Sequence, residues 1–193
     1  MYTKNHWRST LLRRRRRLQA SVRSAYSAAI VRRLRELPQF QQCGELVSYR
    51  AMGAEVDLAA LTEAAQGSEK RVCIVPSTGE RNGREGGLCV DPGIFGEGDL
   101  GPRFVVVPGV GFDLAGVRLG RGGGYVDRLL AELRRDGSVF VVGAAFEVQV
   151  VPQLPCDPWD QSVDLIATES RLIVPRWADV ECELPTTRKG DNR

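Results

Sequence analysis

A glycine-rich segment flanked by arginines is the part of the sequence best suited to chemistry. It contains Gly120, Gly122, Gly123 and Gly124. Glycines let the backbone approach a phosphate closely, and the amides at the start of a following helix would point at the same anion. Arg118 and Arg121 flank the glycines, and their guanidinium groups would balance the charge of a triphosphate. The segment therefore predicts a phosphate-binding loop.

The details of this loop exclude two common phosphate-binding motifs. It lacks the Gly-Lys-Ser/Thr ending of a Walker A loop, and no strand with an acidic ribose ligand follows it as in a dinucleotide fingerprint. Asp127, one turn into the predicted helix, suits a hard divalent cation that bridges phosphate oxygens. The same residues also allow another interpretation, a surface glycine loop with solvated arginines and an acidic helix start.

The elements around the loop predict one α/β domain. Helices are predicted over residues 4–37, broken once, over 57–66 with Asp57 as cap, and over 123–135. A short strand is predicted at 45–49, and apolar runs rich in β-branched residues occur at 71–76, 103–108, 138–144 and 163–168. Such runs are typical of strands buried on both faces, and their alternation with helices indicates a mainly parallel sheet flanked by helices.

The chain length and composition favour a single domain. With 193 residues and no internal shift in composition, residues 1–182 are expected to form that domain. Glycine-rich residues 80–101 predict a surface loop, and residues 183–193 predict a flexible tail.

Charge and composition limit the other functions open to the chain. The net charge is only +3, and the consecutive helical arginines Arg13–Arg17 point in all directions, so most are expected to be solvated. Nucleic-acid binding through that run is an alternative that lacks interleaved aromatic residues. Because His6 is the sole histidine, a Ser-His-Asp catalytic triad is hardly possible in this sequence. Five scattered cysteines, no apolar membrane segment and no secretory leader predict a cytoplasmic protein without membrane partners. The absence of heptads favours a monomer, and no nucleic-acid partner is expected.

Residues 108–130 resemble the signature of the 5-formyltetrahydrofolate cyclo-ligases, also called methenyltetrahydrofolate synthetases. The family pattern reads approximately PGxxFDxxGxRLGxGxGYYDRxL, and the sequence departs from it clearly at Val126, where a second tyrosine is usual. The matching positions are Pro108, Gly109, Phe112, Asp113, Gly116, Arg118, Leu119, Gly120, Gly122, Gly124, Tyr125, Asp127, Arg128 and Leu130. Segments around Lys4, Glu55 and Asp160 resemble further family elements in the family's order.

This resemblance implies a fold similar to the NagB/RpiA/CoA-transferase-like proteins and a reaction that needs ATP and Mg²⁺. The family phosphorylates the formyl oxygen of 5-formyltetrahydrofolate, with or without a polyglutamate tail, and N10 then attacks the activated carbon. The products are 5,10-methenyltetrahydrofolate, ADP and phosphate.

The resemblance also assigns roles to residues. Arg118, Arg121 and Tyr125 would be catalytic, while Arg50, Glu55 and Tyr125 would contact the folate. Asp127 and Asp160 would hold the metal. The nucleotide would be bound by Lys4, Arg8, Arg118, Leu119, Gly120, Arg121, Gly122, Gly123, Gly124, Tyr125 and Val126.

Some features leave alternatives open. Trp159 stands at the family's usual histidine and Asp157 at its usual glutamate. Taken without the family, Lys4 and Arg8 are simply solvated cations and Glu55 an ordinary helix-start acid. A paralogue that binds nucleotide on the same fold, with altered substrate or no turnover, is the alternative function.

Overall fold

The computed structural model describes residues 2–75 and 101–175 of the chain. The predicted surface loop, apart from Gly101, and the predicted tail at 183–193 lie outside these residues. The helices are α1 Lys4–Arg16, α2 Ala20–Glu36, α3 Pro38–Gln42, α4 Ala59–Gln66 and α5 Tyr125–Asp136. The strands are β1 Glu45–Tyr49, β2 Arg71–Val75, β3 Arg103–Pro108, β4 Gly111–Asp113, β5 Arg118–Leu119, β6 Val139–Ala144, β7 Val150–Val151, β8 Leu165–Ala167 and β9 Leu172–Ile173. Within this part of the chain, every helix is too short or too polar to cross a bilayer.

A six-stranded sheet in the order β2-β1-β3-β6-β8-β9 forms the centre of the fold. Its pairs are parallel except for the last, β8 with β9. The longest pairing joins β3 to β6 from Arg103↔Val139 to Pro108↔Ala144. β-branched side chains favour such pleated, buried strands, and Val105 and Val141 are 0% exposed. The prediction of an α/β domain with a mainly parallel sheet is confirmed.

The predicted strands differ from the observed ones in the burial of one strand and in the length of another. β2 lies at the end of the described sheet, and its Ile74 is 40% exposed. Burial on both faces is therefore wrong for β2, although it holds for all of β1. The run predicted at 163–168 is a strand only over Leu165–Ala167.

The helices follow the sequence prediction closely. The predicted break in the N-terminal helix is confirmed, because α1 ends at Arg16 and α2 begins at Ala20. Helix α4 begins two residues after Asp57, whose carboxylate accepts a hydrogen bond from the amide of Ala59 (3.0 Å). Asp57 thus closes a turn ahead of the helix, and Leu58 occupies the N-cap position itself.

A second sheet, which the sequence patterns did not reveal, presents the glycine loop. Its order is β5-β4-β7, with β4–β5 antiparallel and β4–β7 parallel. Asp113 stabilises the turn between β4 and β5, since its buried carboxylate accepts hydrogen bonds from the amides of Ala115, Val117 and Leu154 (2.9–3.0 Å). Burial raises the pKa of Asp113 even though these three amides favour the charged form. The turn leads directly into Arg118.

Candidate active site

A cavity of about 350 Å³ lies where the glycine loop meets the first turns of α1 and α5. Every residue predicted to bind nucleotide, from Lys4 and Arg8 to Val126, lines this cavity. Both predicted metal ligands, Asp127 and Asp160, line it as well. The structure therefore brings together residues from the N-terminal helix, the glycine loop and the segment after β7.

Helix α1 contributes two cations because Lys4 and Arg8, four residues apart, lie on one helix face. The Nε of Arg8 donates to the carbonyl oxygen of Gly120 at 2.9 Å, which fixes the helix against the glycine loop. The Lys4 ammonium donates to Asp157 Oδ2 at 2.7 Å and also to Asp160 Oδ2. Burial alone would lower the Lys4 pKa, but hydrogen bonds and charge from both aspartates together raise it above its usual value.

Arg118 lies beneath the glycine loop and is 5% exposed. Its Nη2 donates to Asp127 Oδ1 at 2.8 Å. A Cβ placed on Gly120 would be 2.8 Å from Arg118 Nη1, so a larger residue at that position would require the guanidinium to move. The buried Nε of Arg118 has no hydrogen-bond partner among the described residues. An anion in the cavity would supply the missing acceptor.

The glycine loop ends in a backbone conformation that suits the start of α5. Gly124 is the N-cap of α5 and has a φ of 64°, in the left-handed region. Gly122 has a φ of 108° and lies against the guanidinium of Arg8, which is 3.6 Å from where a Cβ would be. The unpaired amides of the first turn of α5 and the helix dipole therefore adjoin the cavity. This arrangement is chemically suited to phosphate.

Arg121 connects the cavity to the predicted folate residues. Its Nη2 donates to Glu55 Oε1 at 2.7 Å, and Glu55 Oε2 accepts from the amide of Met52 at 3.0 Å. Glu55 is buried, whereas the Arg121 side chain is 46% exposed. The structure places Glu55 behind Arg121, outside the lining of the main cavity. Arg50 lines a separate hollow of about 240 Å³, together with Tyr49 and Asp57.

Tyr125 and Val126, the first two residues of α5, have different surroundings within the lining. Tyr125 is half-buried and lines the cavity. Val126 also packs against the main hydrophobic core. The valine therefore fills an apolar position, where the second tyrosine of the family pattern would bring a hydroxyl.

The carboxylates of the cavity fit a magnesium ion that is shared with phosphate. Mg²⁺ is usually bound by one or two carboxylates, with phosphate oxygens and water completing the octahedron. Asp127 and Asp160 supply two such carboxylates, and no group of three or more potential ligands occurs in residues 2–75 and 101–175. Asp127 Oδ1 also accepts from the amide of Gln161 at 3.2 Å, which ties the two acidic segments together.

Sequence reasoning gave no site role to three residues that the structure brings to the cavity or its surroundings. Asp157 and Trp159 line the cavity from the turn that also carries Asp160. Arg15 was expected in solvent with its neighbours but is 4% exposed, and its Nη1 donates to the carbonyl oxygen of Gly109 at 3.3 Å. Burial lowers the pKa of Arg15. Its spacing from Arg8 and Leu11, which places all three on one helix face, was the available signal.

Sequence comparison relates the chain to one family. A model of the 5-formyltetrahydrofolate cyclo-ligase family matches residues 99–169. The 5-formyltetrahydrofolate cyclo-ligase of Mus musculus is 38% identical over 84 residues, which are 38% of this chain and 41% of the mouse protein. The protein of that name from Escherichia coli K12 is 37% identical over 68 residues, covering 35% of this chain and 37% of the relative. The chain thus matches less than half the length of these two relatives.

Structural comparison extends the similarity to nearly the whole chain. The NMR structure of Aquifex aeolicus 5,10-methenyltetrahydrofolate synthetase is 30% identical, with a TM-score of 0.68, and the match covers 97% of this chain and 99% of that one. The 5,10-methenyltetrahydrofolate synthetase of Mycoplasma pneumoniae has a TM-score of 0.65 and covers 87% and 99% of the two chains. At 24% identity, the Mycoplasma protein shows a shared fold alone.

Proposed function

Because the chain belongs to the 5-formyltetrahydrofolate cyclo-ligase family, we propose that it uses ATP to convert 5-formyltetrahydrofolate into 5,10-methenyltetrahydrofolate. The observation that carries this proposal is the cavity itself. Arg118, the glycine loop and the cations of α1 all face one space suited to a polyphosphate. The carboxylates Asp127 and Asp160 adjoin the same space.

In the proposed reaction, the formyl oxygen takes the γ-phosphoryl group of ATP as the bond to ADP breaks. N10 then attacks the formyl carbon, the carbon–oxygen bond to phosphate breaks, and N10 loses its proton. The protein contributes alignment and charge stabilisation, since this chemistry needs no covalent intermediate on a side chain. Mg²⁺ bound at Asp127 and Asp160 would neutralise part of the phosphate charge.

The cations divide into those that hold phosphate and one that reaches the reacting group. Lys4, Arg8 and Arg118 are each tied to a neighbour in the protein, so they provide fixed positive charge. Fixed donors are the most effective stabilisers of a developing negative charge, because they need little reorganisation. Arg121 is also held in place, by Glu55, but its side chain is half exposed to the cavity side, so we assign it the transferring phosphoryl group. Glu55 and Tyr125 would orient the folate.

The proposal is tested by following the absorbance of methenyltetrahydrofolate with purified protein. Absorbance should rise when 5-formyltetrahydrofolate, ATP and Mg²⁺ are all present. No rise should occur when ATP is omitted or a chelator removes the metal. A matched control is Arg171→Ala, because Arg171 forms an exposed ion pair with Glu147 away from the cavity. Folded parent protein that binds ATP but never forms product would contradict the proposed reaction and support the non-catalytic paralogue instead.

A further inference from the structure

Trp159 is an aromatic side chain at the candidate nucleotide cavity whose ring is left largely uncovered. Its exposure is 70%, and it is the one strongly exposed large apolar side chain of the described residues that lines the cavity. A tryptophan ring can bury a large apolar area against a planar partner. Its position therefore leaves room for a ligand ring to cover it.

The backbone that carries Trp159 is fixed on both sides. The amide of Asp160 donates to the carbonyl oxygen of Asp157 at 3.0 Å, and the amide of Asp157 donates to Asp160 Oδ2 at 2.8 Å. Lys4 binds the carboxylates of both aspartates and so joins this turn to α1. The backbone at Trp159 is therefore in place before a ligand arrives, which reduces the ordering cost of binding.

The lining of the cavity separates two kinds of chemistry. The glycine loop and its arginines suit phosphate, whereas Trp159 offers an uncharged aromatic ring in the same lining. A nucleotide has a charged end and a planar, uncharged end. With its phosphates on the glycine loop, the planar base is the part of a nucleotide that can cover the exposed ring of Trp159.

We propose that Trp159 is the platform on which the nucleobase of the bound nucleotide stacks, an inference that rests on the proposed function. Stacking uses the face of a ring, which every base has. The platform should therefore favour purines over the smaller pyrimidines, but it should not distinguish adenine from guanine. Trp159 would thus set the affinity for the base, while the glycine loop sets the affinity for the phosphates.

The test compares the parent with Trp159→Ala and Trp159→Phe by measuring affinities for Mg-ATP, Mg-GTP, Mg-CTP and tripolyphosphate. Trp159→Ala should weaken ATP binding by about tenfold, as expected for the loss of one stacking contact. It should leave tripolyphosphate binding unchanged, and Trp159→Phe should restore most of the ATP affinity. Parent protein should bind GTP about as well as ATP, and CTP less tightly.

Fluorescence provides a second readout of the same contact. Trp159→Phe removes the emission of Trp159 from the fluorescence of the protein. ATP should therefore change the tryptophan fluorescence of the parent but not that of Trp159→Phe, and tripolyphosphate should change neither. The proposal is overturned if Trp159→Ala binds ATP like the parent, or if it loses ATP and tripolyphosphate affinity equally. If the parent binds neither ligand, the proposed function fails along with it.

Discussion

Arg118 and Arg121 are close in sequence and line one cavity, yet their surroundings are reversed. The Arg118 side chain is 3% exposed and its partner Asp127 is 17% exposed, whereas the Arg121 side chain is 46% exposed and its partner Glu55 is 4% exposed. In the first pair the cation is the more buried member, and in the second pair it is the anion. Arg118 is therefore part of the framework of the loop, while the guanidinium of Arg121 is accessible to an arriving anion.

Removal of Arg118 should have the largest effect and should break both fold and function. Arg118→Ala leaves Asp127 without its guanidinium, and loss of one member of a largely buried pair costs about 3 kcal/mol or more of unfolding free energy. The lost charge stabilisation should lower kcat by about 10²–10³. Denaturation curves and turnover measure the two effects. A folded variant with parental turnover would exclude a catalytic role for Arg118.

Removal of Arg121 should separate the two effects. Arg121→Ala should lower kcat strongly, but water can take the place of the half-exposed guanidinium beside Glu55, so the loss of unfolding free energy should be smaller than for Arg118→Ala, about 1–2 kcal/mol. Glu55 keeps its hydrogen bond from the amide of Met52, which limits the cost. A double-mutant cycle with Glu55→Gln measures the coupling. Destabilisation as large as that of Arg118→Ala would show that the contrast between the two arginines is wrong.

A glycine of the loop and a glycine outside the cavity offer a pair of substitutions that tests the position of Arg118. A Cβ at Gly120 would lie 2.8 Å from Arg118 Nη1, whereas a Cβ at Gly67, at the end of α4, would come no closer than 3.4 Å to another atom. Gly120→Ala should displace the guanidinium and lower kcat by roughly tenfold, about 1.4 kcal/mol of barrier. Gly67→Ala should turn over close to the parent. Equal activities in the two variants would show that the position of Arg118 is not critical.

The smallest expected effect is the contribution of Lys4 to the unfolding free energy, which depends on pH. Since the Lys4 pKa is raised in the folded protein, its stabilising contribution is fully present below the usual value of 10.5 and is lost as pH rises through the raised value. The difference in unfolding free energy between the parent and Lys4→Met should therefore shrink at strongly alkaline pH. Denaturant titrations across that range provide the measurement. A difference that stays constant there would mean that the ion pairs of Lys4 add nothing to stability.

The central sheet could be predicted from sequence because its strands are long apolar runs. β3 was predicted with its observed bounds, since six consecutive residues carry the pattern. β4, β5 and β7 have only two or three residues each, which is too short for a periodic signal. Their pairing also joins distant segments, as Phe112↔Val150 shows. The second sheet, which carries Arg118, was therefore missed.

The candidate site could be predicted where its residues are contiguous. The glycine loop forms a local pattern, and the sequence led directly to Arg118 and the glycines. The partners of these residues could not be read from spacing, because Glu55 lies 66 positions from Arg121 in the chain. The roles predicted for Arg50 and Glu55 remain predictions, and so do the metal ligands.

The contacts of Lys4 couple nucleotide binding to the stability of the whole domain. They span 153 and 156 positions of the chain, so α1 and the segment after β7 must both be in place before the cavity exists. A nucleotide that binds only this assembled state stabilises the fold as a unit by linkage, in proportion to the logarithm of its concentration. Protection of α1 against proteolysis by added nucleotide should then rise together with the melting temperature of the domain.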